Sequence, residues 1–158
     1  MTLSNENDEP PVRIPWPPLL IALTIAGGLA LDALAPIPLA PSMAVQFAGG
    51  ALVALALVND IWCARALWRH KTTILPHHPV SHLVADGPYR YSRNPIYVSH
   101  VVLTFGVGLL LRSPWIVLLA PLLVVGLTRL AIVPEERHLS RKFGADFAAY
   151  AARTRRWL

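Results

Sequence analysis

Cysteine is almost absent from this sequence. Cys63 is the single example among 158 residues, so an internal disulfide and a cysteine-rich metal site are both excluded. Its place near the end of an apolar run is typical of a small, soft hydrophobic residue. We therefore expect Cys63 to have a structural role.

Charged residues are also scarce. Asp, Glu, Lys and Arg make up 15% of the chain, whereas hydrophobic residues make up 54%. Typical soluble domains contain roughly 25% charged residues. The composition therefore argues against an ordinary soluble domain and favours an integral membrane protein.

Four apolar segments come close to the length that crosses the hydrocarbon core of a bilayer, which is roughly 20 helical residues with about 17 as the lower limit. Their limits are residues 19–35, 43–62, 96–111 and 114–133. The third segment is short unless its first turn lies in the headgroup layer. We therefore expect an all-α membrane protein with about four transmembrane helices.

The connections within each pair of spans are short. Three prolines within residues 35–42 predict a tight hairpin between the first two spans, and Arg112 and Ser113 leave only a tight turn between the last two. Before the first span, residues 1–18 are polar and then rich in proline, which predicts a flexible N-terminal lead. The remainder, residues 19–158, is expected to form one domain.

Basic residues are distributed unevenly about this topology. Of the 14 Lys and Arg residues, all except Arg112 fall on the side that holds both termini and the loop between the second and third spans. By the positive-inside rule that side is cytoplasmic. The high pI then reflects orientation and attraction to anionic headgroups, and nucleic-acid binding is not expected.

Small residues are frequent in the first two spans. Gly27, Gly28, Gly49 and Gly50 are expected to let helix backbones approach closely in lipid, where the hydrophobic effect does not drive helix association. After the fourth span, an apolar stripe at helical spacing predicts a cytosolic amphipathic helix over about residues 135–152. That helix would lie along the membrane face or fold back over the cytoplasmic loop.

The densest polar chemistry lies at the start of the third span. Asn94 and Pro95 favour a helix start, because Asn94 can accept a backbone N–H and Pro95 lacks an N–H that would be left unpaired. Helical spacing then allows Arg93, Tyr97 and His100 to share one face.

Two carboxylates, Glu135 and Glu136, follow the fourth span and return to the same side of the membrane. Because the third and fourth spans form a tight hairpin, these acids can lie near Arg93. Two interpretations are open: a structural ion pair among charges that set topology, or part of a functional site. Ionisable groups close to the membrane interior are costly and are therefore candidates for function.

Three motifs occur here in a characteristic order: "GPYRYSRNPIY" at residues 87–97, the acidic pair at 135–136, and "FGADFAAYAARTRRWL" at 143–158. With "KTTILP" at 71–76, they resemble the isoprenylcysteine carboxyl methyltransferase and phospholipid methyltransferase superfamily of integral membrane enzymes. The carboxyl methyltransferase branch usually has histidine where this chain has Asn94. The acceptor therefore stays open among isoprenylcysteine-type carboxylates, phospholipid amines and small thiols.

The resemblance implies that S-adenosylmethionine is bound on the cytosolic side and that a lipophilic acceptor enters from the bilayer. Methyl transfer from a sulfonium is an in-line displacement, so the protein mainly aligns the reactants and excludes water. An anionic acceptor needs a cation such as Arg93, and an amine needs a base, for which His100 or Glu136 is suited. The expected catalytic residues are Arg93, Tyr97 and Glu136, and the expected cofactor-binding residues are Gly87, Pro88, Tyr89, Arg90, Asn94, Pro95, His100, Glu135 and Glu136.

Other functions remain open from the residues alone. One interpretation of the loop is a metal site, because it contains His77, His78 and His82. No acidic or thiol partner stands at regular spacing, however, and no metal is expected. A nicotinamide-dependent membrane reductase has a related architecture, but the cytosolic part leaves little room for a dinucleotide. A non-catalytic membrane protein that binds a partner would need its arginines only for topology.

Overall fold

The computed structural model of the protein describes residues 16–38, 42–70 and 83–158. Within those ranges the chain is entirely helical, with no strand, which confirms the expected fold class. The histidines at 77, 78 and 82 and most of the expected N-terminal lead lie outside the described residues. The helices are α1 (Trp16–Leu34), α2 (Met43–Arg69), α3 (Pro95–Leu110), α4 (Pro114–Leu127) and α5 (Val133–Arg153).

Three helical stretches in the described part of the chain are long and apolar enough to cross a membrane. They are Trp16–Leu34, Met43–Arg69 and the nearly continuous stretch Pro114–Arg153. The apolar helix α3 is shorter, with 16 residues. A fourth span therefore stays a prediction that requires the first turn of α3 to lie at headgroup depth.

Helix starts follow from local side chains. Ser42 accepts a hydrogen bond from the backbone N–H of Val45 at 3.4 Å, and Ser113 accepts one from Ile116 at 3.2 Å, so each serine caps its helix. Between α3 and α4 the backbone turns at Arg112, which has a φ of 58°. The expected tight turn between these helices is present, and it holds them as an antiparallel hairpin.

Glycine allows the main helix contacts. A Cβ atom placed on Gly49 of α2 would lie 2.6 Å from the backbone nitrogen of Leu110 and 2.7 Å from the carbonyl oxygen of Gly106, both of α3. Gly28 of α1 packs similarly against the backbone of α4 at Ile116. The other two expected contact positions behave differently, because Gly27 and Gly50 meet only side-chain ends at 3.9 Å.

The junction between α4 and α5 is a wide, π-helical turn at Thr128–Ile132. Pro134 follows at the start of α5, and its ring lacks an N–H and crowds the carbonyl of the preceding turn. A wider turn relieves that clash. The turn sets the direction in which Glu135 and Glu136 leave the fourth apolar stretch.

Close backbone packing predicts a position-specific cost. Gly49→Ala is expected to destabilise the protein by about 1–3 kcal/mol, because the methyl group would overlap α3 backbone atoms that cannot move aside. Cys63 is fully buried, so its reaction with a thiol-directed fluorophore in detergent reports thermal unfolding. Gly50→Ala is the matched control, and equal midpoints for the two variants would contradict the packing argument.

Candidate active site

The turn before α3 is held between two helices. Residues Gly87–Arg90 form one 3₁₀ turn, and Gly87 has a φ of 56°, which an L-residue with a side chain adopts only with strain. Gly87 also lies under α2, where an added Cβ would stand 3.5 Å from Nε1 of Trp62. From the other side, the Tyr150 hydroxyl of α5 donates to the Tyr89 carbonyl at 2.7 Å.

Asn94 behaves differently from the expected helix cap. It stands at the N-cap position of α3, but its side chain accepts no bond from the helix. Instead its Nδ2 donates to the Arg156 carbonyl at 2.9 Å. The chain after α5 passes alongside and offers this carbonyl as an acceptor, so the amide is used there. Pro95 at the first helical position is consistent with the helix start expected from the sequence.

Tyr97 connects α3 to α5. Its hydroxyl donates a hydrogen bond to Oε2 of Glu135 at 2.9 Å. The ring of His100, one turn further along α3, meets the ring of Tyr97 edge to face with centroids 6.0 Å apart. The face of α3 that carries Tyr97 and His100 is thus directed toward the start of α5.

Glu136 lies between two guanidinium groups. Nη1 of Arg93 is 3.4 Å from Oε1 of Glu136, and the two side chains are only 17% and 12% exposed. Arg156 makes a two-pronged contact: its Nη2 donates to Oε2 at 2.7 Å, and its Nε lies 3.2 and 3.0 Å from the two carboxylate oxygens. Ionised partners in this arrangement form strong hydrogen bonds.

Two perturbed groups lie outside the apolar spans. Hydrogen bonding to the Glu136 carboxylate raises the pKa of the Arg156 guanidinium, so Arg156 stays charged at any relevant pH. Burial raises the pKa of the Tyr89 phenol above its ordinary value. Both shifts preserve the charge pattern of the site: a cation at Arg156 and a neutral phenol at Tyr89.

Three buried polar atoms find no hydrogen-bond partner among the described residues: Nε of Arg93, Nδ1 of His100 and Oδ1 of Asp60. Buried polar atoms of this kind are costly unless a ligand or water pairs with them. A ligand with a carboxylate, hydroxyl groups and a cationic centre carries partners for polar atoms of these kinds. S-adenosylmethionine has these groups, so the residues present fit it.

A separate apolar groove lies on the face of α3 that carries Pro95, Val98 and Ser99, opposite the face with Tyr97 and His100. Its volume is about 350 Å³, and it lies between α2, the 3₁₀ turn and α3. Apart from Asn59, Ser92 and Ser99, its wall is apolar or aromatic and includes Trp62 and Leu158.

The structure brings most of the sequence-predicted residues together and leaves one apart. Arg93, Tyr97, His100, Glu135 and Glu136 form the cluster, with the Gly87–Tyr89 turn beside it. Arg90 is exposed at the end of that turn and has no hydrogen bond or ion pair with a described residue.

Some contributors were missed from the sequence. Arg156 was one of several arginines near the end of the chain, and nothing in that run distinguishes it from a topology-setting charge. Asn59 near the end of α2 is another, because its Nδ2 donates to Ser99 Oγ at 2.8 Å and to the Pro95 carbonyl at 3.0 Å.

The fold and this polar cluster define a helical membrane protein with a buried ion-paired site at the end of a helix hairpin. Residues 45–146 match the phospholipid methyltransferase family, and the chain belongs to that family. Family membership confirms the superfamily expected from the three motifs and indicates a membrane methyltransferase.

Two curated relatives have names that point elsewhere. The chain is 32% identical over 104 residues to the nickel-cobalt-cadmium resistance protein NccN of Alcaligenes xylosoxydans xylosoxydans, covering 65% of this chain and 44% of that protein. It is 31% identical over 102 residues to the cobalt-zinc-cadmium resistance protein CzcN of Cupriavidus metallidurans, covering 65% and 43%. The chain thus spans less than half the length of these relatives. No solved structure matches it.

The Tyr97 hydroxyl predicts a measurable contribution to stability. Tyr97→Phe is expected to lower the free energy of unfolding by about 1–3 kcal/mol, because the Glu135 carboxyl loses its partner. Tyr91→Phe is the matched control, since Tyr91 is 65% exposed and its hydroxyl bonds to no described residue. Thermal unfolding of the two variants in detergent checks this; a midpoint for Tyr97→Phe equal to that of Tyr91→Phe would rule it out.

Proposed function

We propose that the protein is an integral membrane methyltransferase that uses S-adenosylmethionine and methylates a lipophilic acceptor. Family membership supports methyl transfer. The observation that carries the cofactor assignment is the pair of buried, unpartnered nitrogens, Arg93 Nε and His100 Nδ1, near the Glu135 and Glu136 carboxylates. The positive-inside charge pattern supports a site that faces the cytoplasm.

Each part of the cluster suits one part of the cofactor. Arg93 binds its carboxylate, with backbone N–H groups near Gly87 as further donors. Glu135 or Glu136 accepts hydrogen bonds from its ammonium group or its ribose hydroxyls. Tyrosine rings attract the sulfonium by about 0.5–2 kcal/mol. When bound, the cofactor supplies a methyl group made electrophilic by the positively charged sulfur.

The role of the remaining residues depends on the charge of the acceptor. A carboxylate or thiolate is already nucleophilic, so it needs a cation to orient it and no base. An amine enters protonated, and His100 or Glu136 then accepts its proton before transfer. In both cases the apolar helices keep water out, which prevents hydrolysis and strengthens the polar contacts.

The acceptor is assigned only as lipophilic. The apolar groove of about 350 Å³ supports this class, because it offers hydrocarbon contact at Ser92 and Pro95, which flank Arg93 in the sequence. Isoprenylcysteine-type carboxylates, phospholipid amines and small thiols satisfy the chemistry to different extents. A small thiol would leave most of the groove unfilled.

The names of the two relatives raise metal handling as an alternative. Within residues 16–38, 42–70 and 83–158, no group of three or more His, Cys, Asp or Glu residues is arranged to hold a metal ion. The chain also spans less than half of each relative, so what their names describe can reside in the remainder. Methyl transfer is therefore the better supported assignment for this chain.

Cofactor binding tests the proposal directly. Calorimetric titration of the purified chain with S-adenosylmethionine is expected to give saturable binding that weakens about 10- to 100-fold in Arg93→Lys, because lysine keeps the charge but removes the Nε donor. Arg153→Lys, an exposed arginine outside the cluster, is the matched control. A wild-type chain without measurable binding in several detergents and lipids would contradict the proposal.

The product identifies the acceptor. Cells that express the wild-type chain and cells that express Glu136→Ala are supplied with labelled methyl donor, and their lipids and small thiols are compared by mass spectrometry. A labelled lipid that depends on Glu136 is expected. Label in neither extract, together with a heat-stability shift on adding NADPH, would support a reductase instead. A silent Arg93→Lys in every assay would support a partner-binding membrane protein.

A further inference from the structure

The residues that follow α5 lie directly against the candidate site. At Thr154 the backbone becomes extended, with φ −125° and ψ 130°. The next two carbonyls then face the loop before α3: the Arg93 N–H donates to the Arg155 carbonyl at 2.9 Å, and Asn94 Nδ2 donates to the Arg156 carbonyl at 2.9 Å. We refer to Thr154–Leu158 as the C-terminal segment.

Ser92 adds a further link to this segment. Its hydroxyl donates to the Arg156 carbonyl at 3.3 Å and accepts the Asn94 N–H at 3.1 Å. Ser92 is 1% exposed and Asn94 is 7% exposed, so these bonds are shielded from water. Leu158 continues past the loop and lines the apolar groove. The C-terminal segment therefore contacts both the polar cluster and the groove.

Arg156 and Arg93 contact Glu136 in different ways. Its Nε and Nη2 engage both oxygens of Glu136 at 2.7–3.2 Å, whereas Arg93 reaches Glu136 with Nη1 alone at 3.4 Å. Arg93 Nε is left without a described partner and is buried. If Arg156 were absent, Glu136 would be free to draw the Arg93 guanidinium into a two-pronged pair of its own. Arg156 thus keeps one donor of Arg93 available.

A purely stabilising ion pair explains this arrangement less well. The Arg156 side chain is 41% exposed, and pairs with such solvent access contribute about 0–1 kcal/mol to stability. The two-pronged contact has a larger effect on orientation, because it fixes the plane of the Glu136 carboxylate relative to the Arg156 guanidinium. The contact is thus better placed to orient Glu136 than to hold the fold together.

We propose that the C-terminal segment is one wall of the methyl-transfer site and that Arg156 is a positioning residue, which orients Glu136 and leaves Arg93 Nε free for the cofactor carboxylate. The inference rests on the proposed function and deepens it. It assigns a role to a segment that is far from Arg93 in the sequence and is brought to the site by folding.

The test compares Arg156→Gln and Arg156→Lys with Arg153→Gln, because Arg153 is a neighbouring exposed arginine whose Nε donates to the Ala149 carbonyl of its own helix. S-adenosylmethionine affinity is expected to fall about 10- to 100-fold in Arg156→Gln and less in Arg156→Lys, in proportion to the loss of charge-assisted bonds. The thermal midpoint is expected to stay close to that of the control. Unchanged affinity in both Arg156 variants would overturn the proposal.

A double-mutant comparison separates positioning from structural support. If Arg156 acts through Glu136, the loss of affinity in Glu136→Gln with Arg156→Gln is close to the loss in Glu136→Gln alone. If the two losses multiply, Arg156 acts elsewhere and the positioning role is wrong. Kinetically, KM for S-adenosylmethionine is expected to rise more than kcat falls, which a general loss of folding would not produce.

Failure of the inference and failure of the proposed function have different signatures. A wild-type chain that binds no S-adenosylmethionine removes the proposed function and the positioning role with it. Saturable wild-type binding with unaffected Arg156 variants removes only the inference. Hydrogen exchange at the Arg93 amide adds a readout that needs no cofactor. Exchange is expected to accelerate in Arg156→Gln. Unchanged exchange in that variant would contradict the proposal that the C-terminal segment forms a wall of the site.

Discussion

The geometry of the candidate site depends on how two adjacent carboxylates are paired where an apolar helical stretch ends. A buried carboxylate without partners is unstable, and its desolvation cost is offset only when opposite charge and hydrogen bonds reach it. Glu135 receives the Tyr97 hydroxyl, and Glu136 receives Arg93 and Arg156. Their partners come from α3, from the loop before it and from the C-terminal segment. Meeting this constraint draws three separate parts of the chain to one place.

The helix hairpins make that meeting possible. Gly49 and Gly106 let α2 and α3 pack backbone to backbone, and the tight turn at Arg112 keeps α3 beside α4. The π-helical turn then redirects the chain so that α5 begins facing Tyr97. In lipid, where apolar contact alone does not drive helix association, such close packing and interhelical polar bonds are the main forces available. The same contacts that hold the helices together therefore shape the site.

The sequence predicted the parts of this arrangement that depend on local pattern. The lengths of the apolar segments predicted the helices, Pro95 predicted the start of α3, and the order of the motifs indicated the correct family. Features that depend on distant contacts were not predictable in this way. The Asn94 amide turns to a carbonyl more than sixty residues away, and Arg156 looks like its neighbours until Glu136 is placed beside it. Long-range partners decide the use of a side chain whose type alone leaves several uses open.

Two arginines around one carboxylate have a chemical consequence for methyl transfer. If only one guanidinium were present, Glu136 would occupy its hydrogen-bond donors, and neither group would be left to bind a ligand. With Arg156 holding Glu136, the unpartnered Arg93 Nε keeps its hydrogen-bonding capacity in a site shielded from water, where each such bond is stronger than at the surface. In the proposed site, the second arginine thus leaves Arg93 able to bind the cofactor instead of serving only in an ion pair. Arg156 belongs to the C-terminal segment, and Leu158 of the same segment lines the apolar groove. One stretch of backbone therefore connects the proposed cofactor side of the site with the proposed acceptor side. A change in the position of that backbone would alter both sides together.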